Sequence, residues 1–361
     1  MSDSYFSTTY TEARHRFNEA ATALGATVRS YKIDGESDEE LAIDVAMLGG
    51  ESDPAVVVSS GVHGVEGFFG SSVQLALLDN LKKAQTLGNI RYVLIHSVNP
   101  FGFSRLRRVN EDNVDLNRNF LASADGFSGA PDGYASLDAF LNPESPPSRL
   151  EPFGLKAIWY ISTRGLQALK EAVARGQYEY PLGLFFGGKG PCRSTRIVQE
   201  NCDSWLASSQ KVFHVDFHTG LGAFGTYKLL VTESPESKGY AWFADTFGAK
   251  SVESLTQPGG TAYPIDGTYG EWMQGHFSTR DYRFVGAEFG TYGVIRVLGA
   301  IRAENRAHHF GSEIDALYRW VKGELLECFC PSARAWRRKV VDSGLVIIDQ
   351  GMRALKGTHD A

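Results

Sequence analysis

The sequence predicts an α/β fold built around a largely parallel sheet, and two observations carry that reading. Residues 55–61 (AVVVSSG) and 91–99 (RYVLIHSVN) are short apolar runs rich in β-branched residues and closed by polar ones, the pattern of buried strands. Between them, residues 67–84 place Val73, Leu77, Leu78 and Leu81 on one helical face. Strand, helix, strand at that spacing is the βαβ unit of a parallel sheet.

The remaining elements extend the pattern. Residues 10–25 read as an amphipathic helix ending at Gly25, and 27–33 with 41–48 as an early strand pair. The stretch 121–154 is rich in Gly, Pro, Ser and Asp and reads as a long insertion loop. A helix near 164–176 precedes a glycine-rich loop at 183–191, and a helix near 195–208 leads to a strand at 211–217. A strand at 227–232 is followed by a helix at 236–247, and a strand at 283–289 by helices over 295–328. Residues 339–349 (KVVDSGLVIID) read as a late edge strand. Neither a repeat nor a linker interrupts the chain, so residues 1–361 are expected to form one domain.

Composition excludes several classes of function. Apolar residues make up 43% and charged residues 22%, which rules out a disordered or collagen-like chain. The net charge is −6 and there is no basic stripe, so no nucleic acid partner is expected; Arg105, Arg107 and Arg108 are too short a cluster to reverse that. The four cysteines, at 192, 202, 328 and 330, are too few for a disulfide framework, and they read as buried thiols rather than a metal site. Residues 1–9 are polar, with no secretory pattern, and no apolar run approaches about 18 residues. A soluble cytoplasmic protein is expected.

Four segments can do chemistry. In GVHGVEG, His63 and Glu66 stand at i and i+3 just past a buried strand, where open α/β sheets bind ligands. An imidazole and a carboxylate so placed can share a zinc ion, although this spacing alone also fits two residues satisfied at a helix start. VDFHTGLG repeats the grammar: an apolar strand ends in His218, with Asp216 two residues earlier as a possible support. The segment 99–120 gathers Arg105, Arg107, Arg108 and Arg118 beside Asn110, Asn117 and Asn119. Such planar donors suit capture of a carboxylate or an oxyanion; Arg105 and Arg107 are read instead as a solvated loop. In VGAEFGTYG, Glu288 lies in an apolar strand with no basic neighbour, so burial should raise its pKa toward that of a general base.

Together these pieces resemble the zinc metallocarboxypeptidases of the carboxypeptidase A superfamily. The resemblance rests on HGVE at 63–66, NP at 99–100, R-x-N at 108–110, VDLNRNF at 114–120, His218 and Glu288, in that order over residues 55–292. DFHTGLG and EFGTY look closest to a bacterial branch of unassigned activity, and the aspartoacylase and succinylglutamate desuccinylase branch shares the zinc grammar. The resemblance implies a three-layer α/β/α sandwich with a mixed, mostly parallel sheet of about eight strands. It implies one zinc ion on His63, Glu66 and His218, with Arg108 as oxyanion donor. It further implies that Asn117 and Arg118 hold the substrate carboxylate and that Glu288 is the general base and acid. A mobile tyrosine is expected at Tyr263, with Tyr269 as the competitor.

The sequence departs from the family in spacing. Glu66 and His218 are 152 positions apart, longer than in digestive carboxypeptidases; the excess lies in the insertion and in 181–196. The function expected is hydrolysis of an amide bond beside a free carboxylate, first as a carboxypeptidase acting on peptide C-termini. Two alternatives are a deacylase of small N-acyl amino acids and an inactive protein that binds C-terminal peptides.

Overall fold

A computed structural model describes residues 2–33, 40–51, 54–165, 175–256 and 265–357. Eight strands form one sheet: β1 (Thr27–Ile33), β2 (Leu41–Leu48), β3 (Ala55–Ser60), β4 (Arg91–His96), β5 (Lys211–Thr219), β6 (Tyr227–Val231), β7 (Val252–Ser254) and β8 (Asp281–Phe289). Their order is β1-β2-β4-β3-β5-β8-β6-β7. The centre, β4-β3-β5-β8, is parallel, while β1-β2, β2-β4 and β6-β8 are antiparallel. The central strands β3, β4 and β5 are buried along almost their whole length, as covered parallel strands must be.

Helices cover both faces. The first face carries α1 (Tyr10–Ala23), α2 (Gly67–Ala84) and, from later in the chain, the long helix Arg334–Lys356. Thr9 caps α1, its side chain accepting from Glu12 N at 3.1 Å. The second face carries α6 (Arg193–Leu206), against β1 and β2, and α8 (Tyr269–His276), against β8, while α7 (Lys238–Phe247) packs on the first face beside the helix Arg334–Lys356. The remaining helices are α3 (Pro100–Ser104), α4 (Tyr134–Leu141), α5 (Phe153–Arg164), α9 (Val294–Phe310) and α10 (Ala316–Phe329).

The helix Arg334–Lys356, here α11, corrects the expected edge strand at 339–349. Its buried residues Trp336, Val340, Val341, Gly344, Ile347, Ile348 and Gly351 recur every three or four positions, so the period is helical. Two glycines let it lie close on β5: a Cβ at Gly344 would meet Val73 and Phe217, and one at Gly351 would come 2.2 Å from the Phe213 ring. A second correction concerns 121–154, which is not loop throughout, because α4 lies inside it and α5 begins at its end. Most of the helix expected near 164–176 falls outside the described residues.

A main core fills the space between sheet and helices. A separate apolar cluster joins Val65, Tyr134, Leu137, Leu141, Phe185, Val297, Ile301 and Phe329, and so ties α4 to α9 and α10 beside the carboxyl ends of the central strands.

Candidate active site

Three central strands end at one place. β3 runs into Gly61, whose φ of +66° turns the chain sharply toward His63. A short 3-10 turn, Gly64–Glu66, then carries Glu66. On β5, His214, Asp216 and His218 alternate onto one face, while Phe213 and Phe217 face α11. In register on the neighbouring strand, Glu288 pairs with His218.

The side chains converge. His63 Nδ1 lies 3.0 Å from Glu66 Oε1, and His218 Nδ1 lies 3.1 Å from Glu66 Oε2. One ligating atom from each of the three residues falls within 4.8 Å of the other two, and all three residues are buried. The far nitrogen of each ring meets a carboxylate: His63 Nε2 is 3.0 Å from Asp115 Oδ1, and His218 Nε2 is 2.6 Å from Asp216 Oδ2. Two imidazoles that turn Nδ1 inward and hold Nε2 on a carboxylate, with a third carboxylate between them, fit a zinc ion. Thr219 N donates to Glu66 Oε2 at 3.0 Å and fixes that carboxylate further.

Behind Asp216 the bonding continues into the sheet. Ser59 donates to Asp216 Oδ1 at 2.7 Å and lies 2.8 Å from His214 Nε2; His214 Nδ1 is 2.7 Å from the Tyr282 hydroxyl. Burial holds the His214 pKa down to about 3, so this imidazole is neutral. Burial also opposes charge on His218, but Asp216 and Glu66 outweigh it and raise that imidazole well above its usual value.

Glu288 faces the same cavity. Its Oε1 accepts the Leu221 N–H at 2.8 Å. Burial first, and then repulsion from Glu66, raise its pKa to about 7. A carboxylic acid poised there can exchange protons near neutral pH.

Arg108 is folded against the cluster. Its Nε donates to Asp115 Oδ2 at 2.9 Å, Nη2 is 2.7 Å from His63 Nε2, and Nη1 is 3.5 Å from Glu66 Oε1. Arg118 is almost fully buried and donates from Nη1 to the Asn117 carbonyl at 2.8 Å. Asn117 Oδ1 accepts the Tyr269 N–H at 2.9 Å, which sets it against the start of α8. Both guanidinium groups lie over Phe185, 5.5 and 5.8 Å from its ring centre. Phe185 has a φ of +59°, a costly conformation for a bulky residue. His63, Glu66, His218, Glu288, Arg108, Asn117, Arg118 and Phe185 line one cavity of about 210 Å³.

Other expectations fare differently. Arg105 is exposed, as a solvated residue should be. Arg107 is not: it is wholly buried, with Nε donating to Glu304 at 2.9 Å and Nη2 to Asn113 at 3.0 Å. It anchors the segment to α9. Asn119 also braces backbone, donating to the Gly187 and Gly190 carbonyls. Tyr263 lies outside the described residues. Tyr269 is buried against Phe120, His214 and Phe284, away from the cavity lining. All four cysteines are buried free thiols. Among the described residues, no helix is long and apolar enough to cross a membrane. Asp115, Ser59, His214 and Phe185 are the residues missed from sequence. Asp115 has a signal inside VDLNRNF; His214 has none beyond the alternation along β5, and Ser59, on β3, has none.

Structural comparison finds carboxypeptidase A from Helicoverpa armigera, 12% identical, with a TM-score of 0.48 over 98% of this chain and 74% of that one. It also finds murein-tripeptide amidase MpaA from Escherichia coli O157, 15% identical, with a TM-score of 0.38 over 82% and 91%. An aspartoacylase family protein from Mesorhizobium loti is 15% identical, with a TM-score of 0.38 over 79% and 67%. No curated protein matches the sequence. Residues 6–343, most of the chain, match the family described as "Protein of unknown function (DUF2817)", and the protein belongs to that family.

Proposed function

We propose that the protein is a zinc-dependent hydrolase that cleaves an amide bond beside a free carboxylate. One observation carries the reading: two histidine Nδ1 atoms and a carboxylate meet at the strand ends, each imidazole backed by an aspartate, with Glu288 in register beside them. His63, Glu66 and His218 are the residues that would hold zinc. When bound there, zinc would lower the pKa of a water to about 7 and polarise a carbonyl.

The chain's own groups supply the rest. Glu288, with its pKa near 7, takes a proton from the attacking water and delivers it to the leaving nitrogen. The water oxygen adds to the carbonyl carbon and the C–N bond breaks. The products are a carboxylate and an ammonium, with both water protons ending on nitrogen. Arg108 stands at the cavity wall beside His63 and supplies positive charge for the developing oxyanion. Arg118 and Asn117 orient the substrate carboxylate, the guanidinium offering a fork that lysine lacks.

Peptide C-termini are the first substrates to test, with N-acyl amino acids second. The experiment is metal analysis of the purified protein with assays of both substrate sets, with and without chelator. Stoichiometric zinc, chelator-sensitive hydrolysis and indifference to C-terminally amidated analogues support the reading. Tight binding of C-terminal peptides by the zinc-loaded protein without turnover would make it a binding protein instead.

A further inference from the structure

The lining of the cavity comes from two parts of the fold. One part is β6, β8 and α8, through Leu230, Phe284, Gly286 and Gly270. The proposed carboxylate-anchoring pair enters from this side, because Asn117 is bonded to the first residue of α8 and the Arg118 backbone lies against Gly267, just before it, while the Arg118 guanidinium reaches across to Phe185 at the border of the two parts. The other part is α4, α5 and α9, through Leu137, Phe140, Ala157, Ile161, Val297 and Ile301. A substrate held by its carboxylate on the α8 side presents its acyl half to the α4–α5–α9 side.

That second wall is nearly devoid of polar groups. Among the described residues that line it, only Tyr160 carries a polar side-chain atom. The preceding residues of a peptide would bring an amide N–H and a carbonyl at every step, each needing a partner. Alkyl and aromatic groups need none, and are driven into such a surface by their own burial.

The wall is also firmly held, although α4 comes from the inserted segment. Arg302 of α9 donates from Nε to the Phe140 carbonyl at 2.6 Å and from both Nη atoms to Glu151 at 3.0 and 2.8 Å. One turn on, Arg306 reaches the Ser145 and Pro146 carbonyls at 2.9 and 2.7 Å and also pairs with Glu151. Both arginines are buried. Three bonds to carbonyls and a shared carboxylate therefore bind α4 and the start of α5 to α9. The Tyr134 hydroxyl adds a bond from α4 to the Leu184 carbonyl at 2.8 Å, beside Phe185.

We propose that α4, α5 and α9 form an acyl-chain wall, and that the substrate is an N-acyl amino acid whose acyl group is a medium-length alkyl chain or an aromatic ring. This rests on the amide-hydrolase reading above and narrows it: the group on the carbonyl side of the scissile bond is lipophilic, and the group on the nitrogen side is an amino acid with a free carboxylate.

The test uses the zinc-loaded full chain and a series of N-acyl leucines with acetyl, butanoyl, hexanoyl and octanoyl groups, beside the tripeptide Ala-Ala-Leu. Burial of each methylene should raise kcat/KM about fourfold, so octanoyl-leucine should exceed acetyl-leucine by more than about 100-fold. Ala-Ala-Leu should fall at least about tenfold below octanoyl-leucine, the cost of roughly one unpartnered polar group. Replacing Ala157 with Phe should fill the wall and collapse the octanoyl-to-acetyl ratio. Phe140→Ala, which opens it, should move the optimum to longer chains. Equal kcat/KM across the acyl series, or a tripeptide better than octanoyl-leucine, overturns the acyl-wall proposal and leaves the amide-hydrolase reading standing. Calorimetry of the same series on the Glu288→Gln protein separates the reverse case. A Kd that tightens with chain length, together with no turnover of any compound by the native protein, would overturn the hydrolase reading and with it the substrate assignment, leaving only a lipophilic-ligand site.

Discussion

The two walls of the cavity are built by different rules. On the sheet wall, His218 and Glu288 are paired residues on adjacent strands, and neither can move without breaking the β5–β8 ladder. On the helix wall, α4 and α5 come from a segment joined to α9 through arginine side chains and loop carbonyls. Positions on the sheet wall are fixed by main-chain register, whereas the helix wall can be reshaped without disturbing a single ladder hydrogen bond. On the reading proposed above, the chemistry belongs to the register-locked wall and selectivity to the helix wall.

The sharpest way to break that division is at Glu288. Glu288→Gln should keep fold and zinc and lower kcat by about 10²–10⁴ for every substrate, because a general acid–base is lost. Stopped assays with metal analysis of the variant check this. A variant with near-native kcat would place the base elsewhere and remove the sheet wall's claim to the chemistry.

Sequence reading was sound where the signal was local. Strands 27–33 and 41–48 and helix 67–84 match β1, β2 and α2 because each carries its own period. It failed at α11, where VV and LVII in KVVDSGLVIID look like strand, and only the wider span from Trp336 to Leu355 shows the helical recurrence. It also failed at α4 and α5, whose surroundings of Gly, Pro and Ser mask two short helices stabilised from outside by Arg302 and Arg306. At the site, residues in motifs were legible, but supports defined by contact were not. Arg107 was read as solvated because nothing nearby in sequence announces Glu304, 197 positions away. His214 and Ser59 meet across 155 positions and carry no motif.

The second test moves to the boundary between the walls. Arg118→Met should lower kcat/KM for acid substrates by about 10- to 150-fold, the loss expected of a charged hydrogen-bonded pair. An amidated analogue, already poor, should change little. Measuring both substrates on both proteins decides it; equal losses would make Arg118 a brace for the chain around Gly176 and Gly267, which its atoms also touch.

A third test compares the two supports behind the imidazoles. Asp115 reaches His63 from the segment after α3, while Asp216 reaches His218 from within β5. Removing such a support typically weakens zinc binding by about 10- to 100-fold. Asp216→Asn should sit toward the upper end, because Ser59 and His214 position that carboxylate in turn. Ser59→Ala should give a smaller loss in the same direction. Competition with a chromogenic chelator reads all three affinities, and Ser59→Thr, which keeps the hydroxyl, should restore binding. Unchanged affinity in Asp216→Asn would make the β5 chain a packing feature only.

The smallest effect expected is on stability, and its sign follows from Glu288. In the unfolded chain this carboxyl takes its ordinary value of 4.5, whereas in the fold burial, and then Glu66, raise it to about 7. Between those values the native protein binds more protons than the unfolded chain, so its stability falls as pH rises. Below 4.5 both states are protonated at this group and there is no penalty; above 7 the native state carries the buried charge in full. The gap sets an upper limit of about 3 kcal/mol, and sharing of charge with Glu66 and the two histidines should leave about 1–2 kcal/mol. Glutamine at 288 carries no charge at any pH. Metal-free Glu288→Gln should therefore match the native chain near pH 5 and exceed it near pH 8, in urea unfolding with chelator present. An offset that is the same at both pH values would mean that Glu288 is ionised throughout. The catalytic wall would then carry no stored electrostatic cost, and the contrast with the helix wall would rest on register alone.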